Sequence, residues 1–88
     1  MNYTDIQYLE ASSNYTIFHF QDGVKQLHSY TLKHYEKLLI AHHAFSRIHR
    51  RFLVNRAFIA SHSSTEVFLT SGKQLPLSRR RRFVVKTE

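Results

Sequence analysis

The chain has 88 residues with no cysteine, which excludes a disulfide framework and a thiolate metal site and leaves room for one domain. No apolar run approaches the roughly 18 residues of a transmembrane helix, and no secretory signal pattern opens the chain, so a cytoplasmic protein without a membrane partner is expected. Thirteen Lys and Arg against six Asp and Glu give a net charge of +7, which favours a polyanionic partner.

The first third of the chain predicts three strands. Residues 5–11 alternate between apolar and polar side chains, and residues 15–20 are rich in aromatic and β-branched side chains, so both predict strands. The short polar residues 12–14 predict a turn between them. Asp-Gly within residues 21–23 predicts a hairpin turn, and residues 24–29 predict the returning strand.

A helix is predicted next. Thr31 is suited to cap a helix that starts at Leu32, and residues 42–43, two histidines, are expected to end it. The apolar positions expected to share its buried face are Leu32, Tyr35, Leu38 and Leu39.

The second half of the chain predicts further short strands. Residues 48–54 predict one apolar strand, with an irregularity among its basic residues. Residues 58–62 and 66–69 predict two more strands, and a turn at 71–72 leads into a strand over 73–77, where Pro76 is expected at a sheet edge. Ser78 is suited to cap a last short helix that reaches about Val85. About seven short strands and two helices predict a mostly-β fold of stacked small antiparallel sheets.

Positive charge is concentrated in two blocks that lack acidic residues. Residues 47–56 carry four Arg, and residues 79–86 carry four Arg and one Lys. The planar guanidinium contacts phosphate or a guanine edge with two hydrogen bonds, which Lys cannot do, whereas a surface that only confers solubility mixes both signs. The blocks therefore predict a nucleic-acid-binding face.

Two alternatives use the same charge. The first is a non-specific basic module that binds any nucleic acid. The second is a module for an anionic membrane surface, because Phe83, Val84 and Val85 accompany the last block. These apolar residues are few and contiguous, which makes a poor amphipathic face.

Metal binding and catalysis are not favoured. His42 and His43 are adjacent, which suits neither for sharing one metal ion, and His19 and His28 are expected to face each other as an ordinary cross-strand pair. No nucleophile motif, phosphate loop or pair of carboxylates appears. No metal, no cofactor and no enzymatic activity are expected.

Several segments resemble LytTR-type DNA-binding domains. Residues 47–50 (Arg-Ile-His-Arg) followed by 52–55 (Phe-Leu-Val-Asn) resemble the Arg-x-His-Arg-Ser-x-x-Val-Asn signature of that family. Further similar pieces are residues 5–11, Asn14-Tyr15, Leu32-Lys33, Phe45 and residues 75–80. They occur in the family's order and spacing over nearly the whole chain. Where the family usually has Ser, this chain has Arg51, which is expected to add a phosphate contact or alter specificity.

The resemblance implies a mostly-β fold that binds duplex DNA through loops in successive major grooves rather than through a recognition helix. The residues expected to contact DNA are Ser13, Asn14, Tyr15, His49, Arg50, Arg51, Arg79, Arg80 and Arg81. Arg80 and the loop at 13–15 are expected to read bases, whereas His49 and Arg50 are expected mostly to anchor phosphates.

The resemblance also implies a biological setting. It implies a bacterial transcriptional regulator that binds double-stranded DNA as a homodimer on repeated half-sites. It further implies a phosphorylatable receiver domain in a parent or partner protein, as in two-component systems. Residues 1–88 are expected to form a single domain that lacks the family's leading strand, because Met1 stands just before what looks like the second strand.

Overall fold

The computed structural model describes residues 3–40 and 44–78. In this part of the chain, eight strands form two antiparallel sheets accompanied by one α-helix. The strands are β1 (Ile6–Ser12), β2 (Tyr15–Phe20), β3 (Lys25–His28), β4 (Phe45–His49), β5 (Phe52–Asn55), β6 (Ile59–His62), β7 (Glu66–Leu69) and β8 (Gln74–Pro76). The helix α1 is Leu32–Ile40, and Tyr3–Asp5 and Arg56–Phe58 are short 3-10 helices. The predicted fold class is therefore confirmed.

The larger sheet has the strand order β3-β2-β1-β5-β4, and the smaller sheet has the order β6-β7-β8. The central strand β1 pairs antiparallel with both β2 and β5, so that Leu9 lies between Phe18 and Leu53. β1 runs toward the turn that joins it to β2, and β5 runs away from the turn that joins it to β4. These two turns therefore lie at the same end of the larger sheet.

The larger sheet forms the middle layer of three. Successive side chains of a strand point to opposite faces, and both faces of this sheet are buried by other elements. The cluster on the helix side consists of Ile6, Leu9, Phe18, Phe45 and Leu53 with Leu32 and Leu39 of α1. The cluster against the smaller sheet consists of Tyr8, Ile48 and Val54 with Val67, Leu69, Leu75 and Leu77.

Most predicted strands are confirmed. β2 and β7 have the predicted bounds, and the bounds of β1, β3, β6 and β8 differ from prediction by one residue at one or both ends. Gly23 and Gly72 lie in the predicted turns with φ of 90° and 93°, the left-handed region that glycine adopts without strain. Pro76 ends the edge strand β8, as predicted.

The prediction of one strand over residues 48–54 is wrong. This segment contains the end of β4, a turn at Arg50 and Arg51, and most of β5, and the two strands pair with each other. Two adjacent exposed arginines favour a solvated turn over a buried strand, because a charged side chain is costly to bury without a partner.

Two smaller predictions are also wrong. Leu38 is 50% exposed because the sixth position after Leu32 is rotated about 120° away from it around a helix with 3.6 residues per turn. His19 and His28 do not face each other, since His19 pairs with Lys25 and His28 with Thr16. The predicted helix end at residues 42–43 and the predicted last helix beyond Ser78 lie outside the described residues.

Asn55 connects the larger sheet to the first 3-10 helix after it. Its side chain is buried, with Nδ2 donating to the carbonyl oxygen of Ile6 at 2.9 Å and Oδ1 accepting from the backbone N–H of Ala57 at 3.0 Å. One amide thus satisfies two backbone groups of different elements, which makes it a strong contributor to stability.

We expect Asn55→Ala to lower the free energy of unfolding by about 2–4 kcal/mol, because it leaves two backbone groups without their partner in a buried site. Urea denaturation measures the change. Gln74→Ala, at an exposed position of β8, is the control and should change stability by less than about 0.5 kcal/mol. Equal stability of the two variants would contradict this role of Asn55.

Candidate nucleic-acid interface

The turn between β1 and β2 and the turn between β4 and β5 lie side by side. The backbone N–H of Ala11 donates to the carbonyl oxygen of Arg51 at 2.8 Å, and Glu10 pairs with Phe52 just below. We call this end of the larger sheet, formed by residues 12–15 and 49–51, the turn end. It brings together six of the nine residues predicted to contact DNA.

The first turn consists of Ser13 and Asn14 between the paired residues Ser12 and Tyr15. Both turn residues are exposed, and Ser13 has φ of 57°, a conformation that tight hairpin turns require. Tyr15 is the first residue of β2 and is 48% exposed. The turn therefore presents a hydroxyl, an amide and an aromatic ring to solvent.

The second turn consists of Arg50 and Arg51, which are both exposed, between the paired residues His49 and Phe52. The backbone N–H of Arg51 donates to Nδ1 of the half-buried His49 at 3.1 Å. Because Nδ1 accepts this bond, the neutral imidazole carries its proton on Nε2. The turn thus places two guanidinium groups next to one imidazole.

Arg47 belongs to the same basic block but has an internal structural role. Its side chain is 13% exposed, and its guanidinium donates to Glu36 of α1. It also donates to the carbonyl oxygen of His49 at 2.8 Å and to that of Arg50 at 2.5 Å. Arg47 therefore ties the second turn to the helix, and its positive charge is already paired.

Arg56 lies at the other end of the larger sheet. It follows β5, which runs away from the turn end, and its backbone N–H donates to the carbonyl oxygen of Ala44 at 2.7 Å. Of the four arginines in residues 47–56, two therefore lie on the turn end. Sequence spacing alone does not show which of these arginines lie on the turn end, because the partners of Arg47 and Arg56 come from other elements.

Glu10 is a further residue of this region, and it was not among the residues predicted to contact DNA. Its Oε1 accepts from Nε2 of His19 at 2.9 Å, and its Oε2 lies 3.7 Å from a guanidinium nitrogen of Arg51. Burial lowers the pKa of His19, and the hydrogen bond and charge of Glu10 oppose that shift. Glu10 thus restrains Arg51, whose side chain is still 56% exposed.

The chain returns to the turn end at Ser78. The backbone N–H of Ser78 donates to the carbonyl oxygen of Ile48 at 2.7 Å, and that of Leu77 donates to Thr65 at 2.9 Å. Ser78 therefore lies beside β4, one residue from His49. Arg79, Arg80 and Arg81 lie outside the described residues.

Membrane-spanning helices and clusters of metal ligands are two other features to consider in residues 3–40 and 44–78. No helix in these ranges is long and apolar enough to cross a membrane. The same ranges contain no group of three or more His, Asp or Glu side chains arranged to hold a metal ion.

Comparison with known proteins shows the family of the chain. The family model of the LytTr DNA-binding domain matches residues 1–87. The chain belongs to this family. It is also similar to the solved LytTr DNA-binding domain of a Bacillus cereus protein described as a methyl-accepting/DNA response regulator, with 27% sequence identity and a TM-score of 0.82. That match covers 94% of this chain and 79% of the other. No curated protein matches the chain.

Membership of the LytTr family confirms the resemblance seen in the sequence. It makes the chain a DNA-binding domain of a transcription regulator, with DNA as its partner. Within that function, the turn end is the best candidate for the contact surface, because it combines exposed polar turns with two exposed arginines.

We expect Arg47→Lys to lower the free energy of unfolding by about 1–3 kcal/mol, because a single ammonium cannot replace a fork that binds Glu36 and two carbonyl oxygens. Urea denaturation provides the measurement. Arg50→Lys is the matched control and should change stability by less than about 0.5 kcal/mol, since it alters an exposed side chain. A loss of the same size in both variants would refute the internal role of Arg47.

We expect Glu10→Gln to tighten DNA binding by about two- to fivefold, the worth of one exposed ion pair, because the carboxylate competes with phosphate for Arg51. Fluorescence anisotropy with a labelled duplex measures the affinity. The same change in an Arg51→Ser background separates the pair from the general effect of removing a negative charge. An equal gain in both backgrounds would show that Glu10 does not act through Arg51.

Proposed function

We propose that the domain recognises a specific sequence of duplex DNA by inserting its first turn and the arginines after Ser78 into successive major grooves, with the second turn between them. The observation that carries the proposal is the hydrogen bond between Ser78 and Ile48. This bond supports a common surface for three segments that are far apart in the sequence. Loops presented by paired strands would then do the work that a recognition helix does in other DNA-binding domains.

The chemistry of the side chains suggests how the work is divided. Arg80 and Asn14 are suited to reading bases, since Arg pairs with the guanine edge and Asn with the adenine edge through two hydrogen bonds each. Tyr15 adds an exposed ring beside Asn14. His49 and Arg50 are assigned to phosphates, which fix the register of the protein on the duplex.

Arg51, Arg79, Arg81 and Ser13 complete the proposed contact set. Arg51 is held near Glu10 while most of its side chain stays exposed, so a phosphate can replace the carboxylate as its partner. Ser13 and the two C-terminal arginines are adjacent in sequence to residues already assigned to DNA. The proposed surface carries no catalytic step.

We further propose that two copies bind repeated half-sites under the control of a receiver domain. The domain measures 31 Å along its longest axis, about one helical repeat of 34–36 Å in DNA. One copy therefore contacts only a short DNA site, and a second copy lengthens the DNA sequence that is read. The response-regulator relative supports a receiver in a parent or partner protein as the source of the signal.

Selection from a random duplex pool at about 0.15 M salt tests the proposal, because phosphate contacts alone bind strongly at lower salt. We expect one enriched motif, repeated at a fixed spacing. Arg80→Ala should weaken binding to it by about 1–3 kcal/mol and relax the preference at one position. Arg50→Ala, which removes a proposed phosphate contact, should weaken all sequences alike.

Two outcomes of this selection would contradict the proposal. Retained DNA without an enriched motif would indicate a non-specific basic module. A uniform loss with Arg80→Ala would reduce Arg80 to a phosphate anchor. A motif that occurs once, without a second copy, would contradict only the proposed pairing of half-sites.

A further inference from the structure

A cleft of about 300 Å³ lies between the two sheets, and it reaches the end of the larger sheet away from the turn end. Tyr8 and His19 form its inner wall, and the turn that joins β2 to β3 borders it on one side. The turn that joins β7 to β8 borders it on the other. Ser71 of that turn donates to Gln7 of β1 at 2.6 Å, which fastens the smaller sheet to this wall.

Two lysines line the cleft from different sheets. Lys25 belongs to β3, and Lys73 directly precedes β8. Both are close enough for their charges to depress the pKa of His19, in addition to the larger effect of burial. In residues 3–40 and 44–78, neither lysine forms an ion pair with an acidic side chain. Glu10, the acid that borders the cleft, is already engaged by His19 and Arg51.

The inner wall of the cleft is polar as well as aromatic. The rings of Tyr8 and His19 are stacked, with 4.1 Å between their centroids. Burial and the charge of Glu10 raise the pKa of Tyr8 to about 12, so its hydroxyl remains protonated at neutral pH and is a hydrogen-bond donor. Lys25, Lys73 and Tyr8 therefore line a space whose remaining lining includes Phe20 and Val24.

We propose that this cleft is a binding site for a small dianion, a phosphate monoester being the simplest case, with Lys25 and Lys73 supplying the compensating charge. A dianion bound between the two lysines gains electrostatic attraction from both of them. The volume is at the lower limit for ligand sites, which suits a compact metabolite and excludes a folded partner. Glu10 borders the cleft and contacts Arg51 of the turn end, but the proposal does not depend on how DNA is read.

Titration of the chain with inorganic phosphate and with glycerol phosphate at pH 7.5 tests the proposal, with sodium chloride of equal ionic strength as reference. The NMR signals of the His19 ring report on the cleft. We expect a saturable change in these signals and a higher pKa of His19 in the bound state, because the dianion offsets the field of the two lysines. Acetate, a monoanion of similar size, should bind more weakly.

Variants then locate the binding. Lys25→Gln and Lys73→Gln should each weaken phosphate binding by about two- to fivefold, and together they should weaken it by about four- to 25-fold. Lys33→Gln is the matched control, since Lys33 is exposed on α1 at the opposite face of the larger sheet, and it should leave binding unchanged. DNA affinity is measured in parallel, so failure at the cleft is distinguishable from failure at the turn end.

Three results would overturn the proposal. The first is the absence of a saturable change in the His19 signals beyond that caused by chloride. The second is acetate binding as tight as phosphate binding, which would show that the cleft does not select a dianion. The third is undiminished phosphate binding in the double variant, which would place the anion elsewhere, for example at Arg50 and Arg51.

Discussion

The pairing of β1 with β2 on one side and β5 on the other is the constraint on which the rest of the structure depends. Because both pairings are antiparallel, the two turns emerge at the same end of the sheet. The same central strand presents Leu9 to the helix and Tyr8 to the smaller sheet, so it organises both apolar clusters. The bond between Ser78 and Ile48 places Ser78, the last described residue, beside β4 near that end. The positions of both turns and of Ser78 thus follow from one strand and its neighbours.

Local patterns predicted much of the fold. Alternation and β-branched residues were sufficient for β2 and β7, whose bounds were predicted correctly. The hairpin of β4 and β5 was missed, because Arg47 stabilises its turn through Glu36 of a helix that the strand pattern does not contain. The family signature indicated His49, Arg50 and Arg51, and the structure brings them next to Ser13 and Asn14. The sequence could not indicate that Glu10 contacts Arg51, because this ion pair forms only once β1 and β5 are paired.

The positive charge of the chain is divided among different tasks. The charge of Arg47 is paired with Glu36 inside the fold, and Arg56 lies away from the turn end. Lys25 and Lys73 border the cleft between the sheets. Fewer positive groups are therefore available to contact DNA phosphates than the net charge of +7 suggests. Glu10 lies between two of these regions, since it contacts His19 on the cleft side and Arg51 on the turn end.

The shortness of the two turns has a consequence for the way a duplex is accommodated. Each turn has only two residues between paired strands, Ser13-Asn14 in one and Arg50-Arg51 in the other. Few backbone rotations remain to be frozen when DNA binds, so little conformational entropy is lost there. A stiff surface of this kind does not adjust the spacing between its two turns to the shape of the groove. Under the proposed mode of binding, the duplex bends or twists to meet the two turns, and the stiffness of base steps that no side chain touches becomes part of recognition.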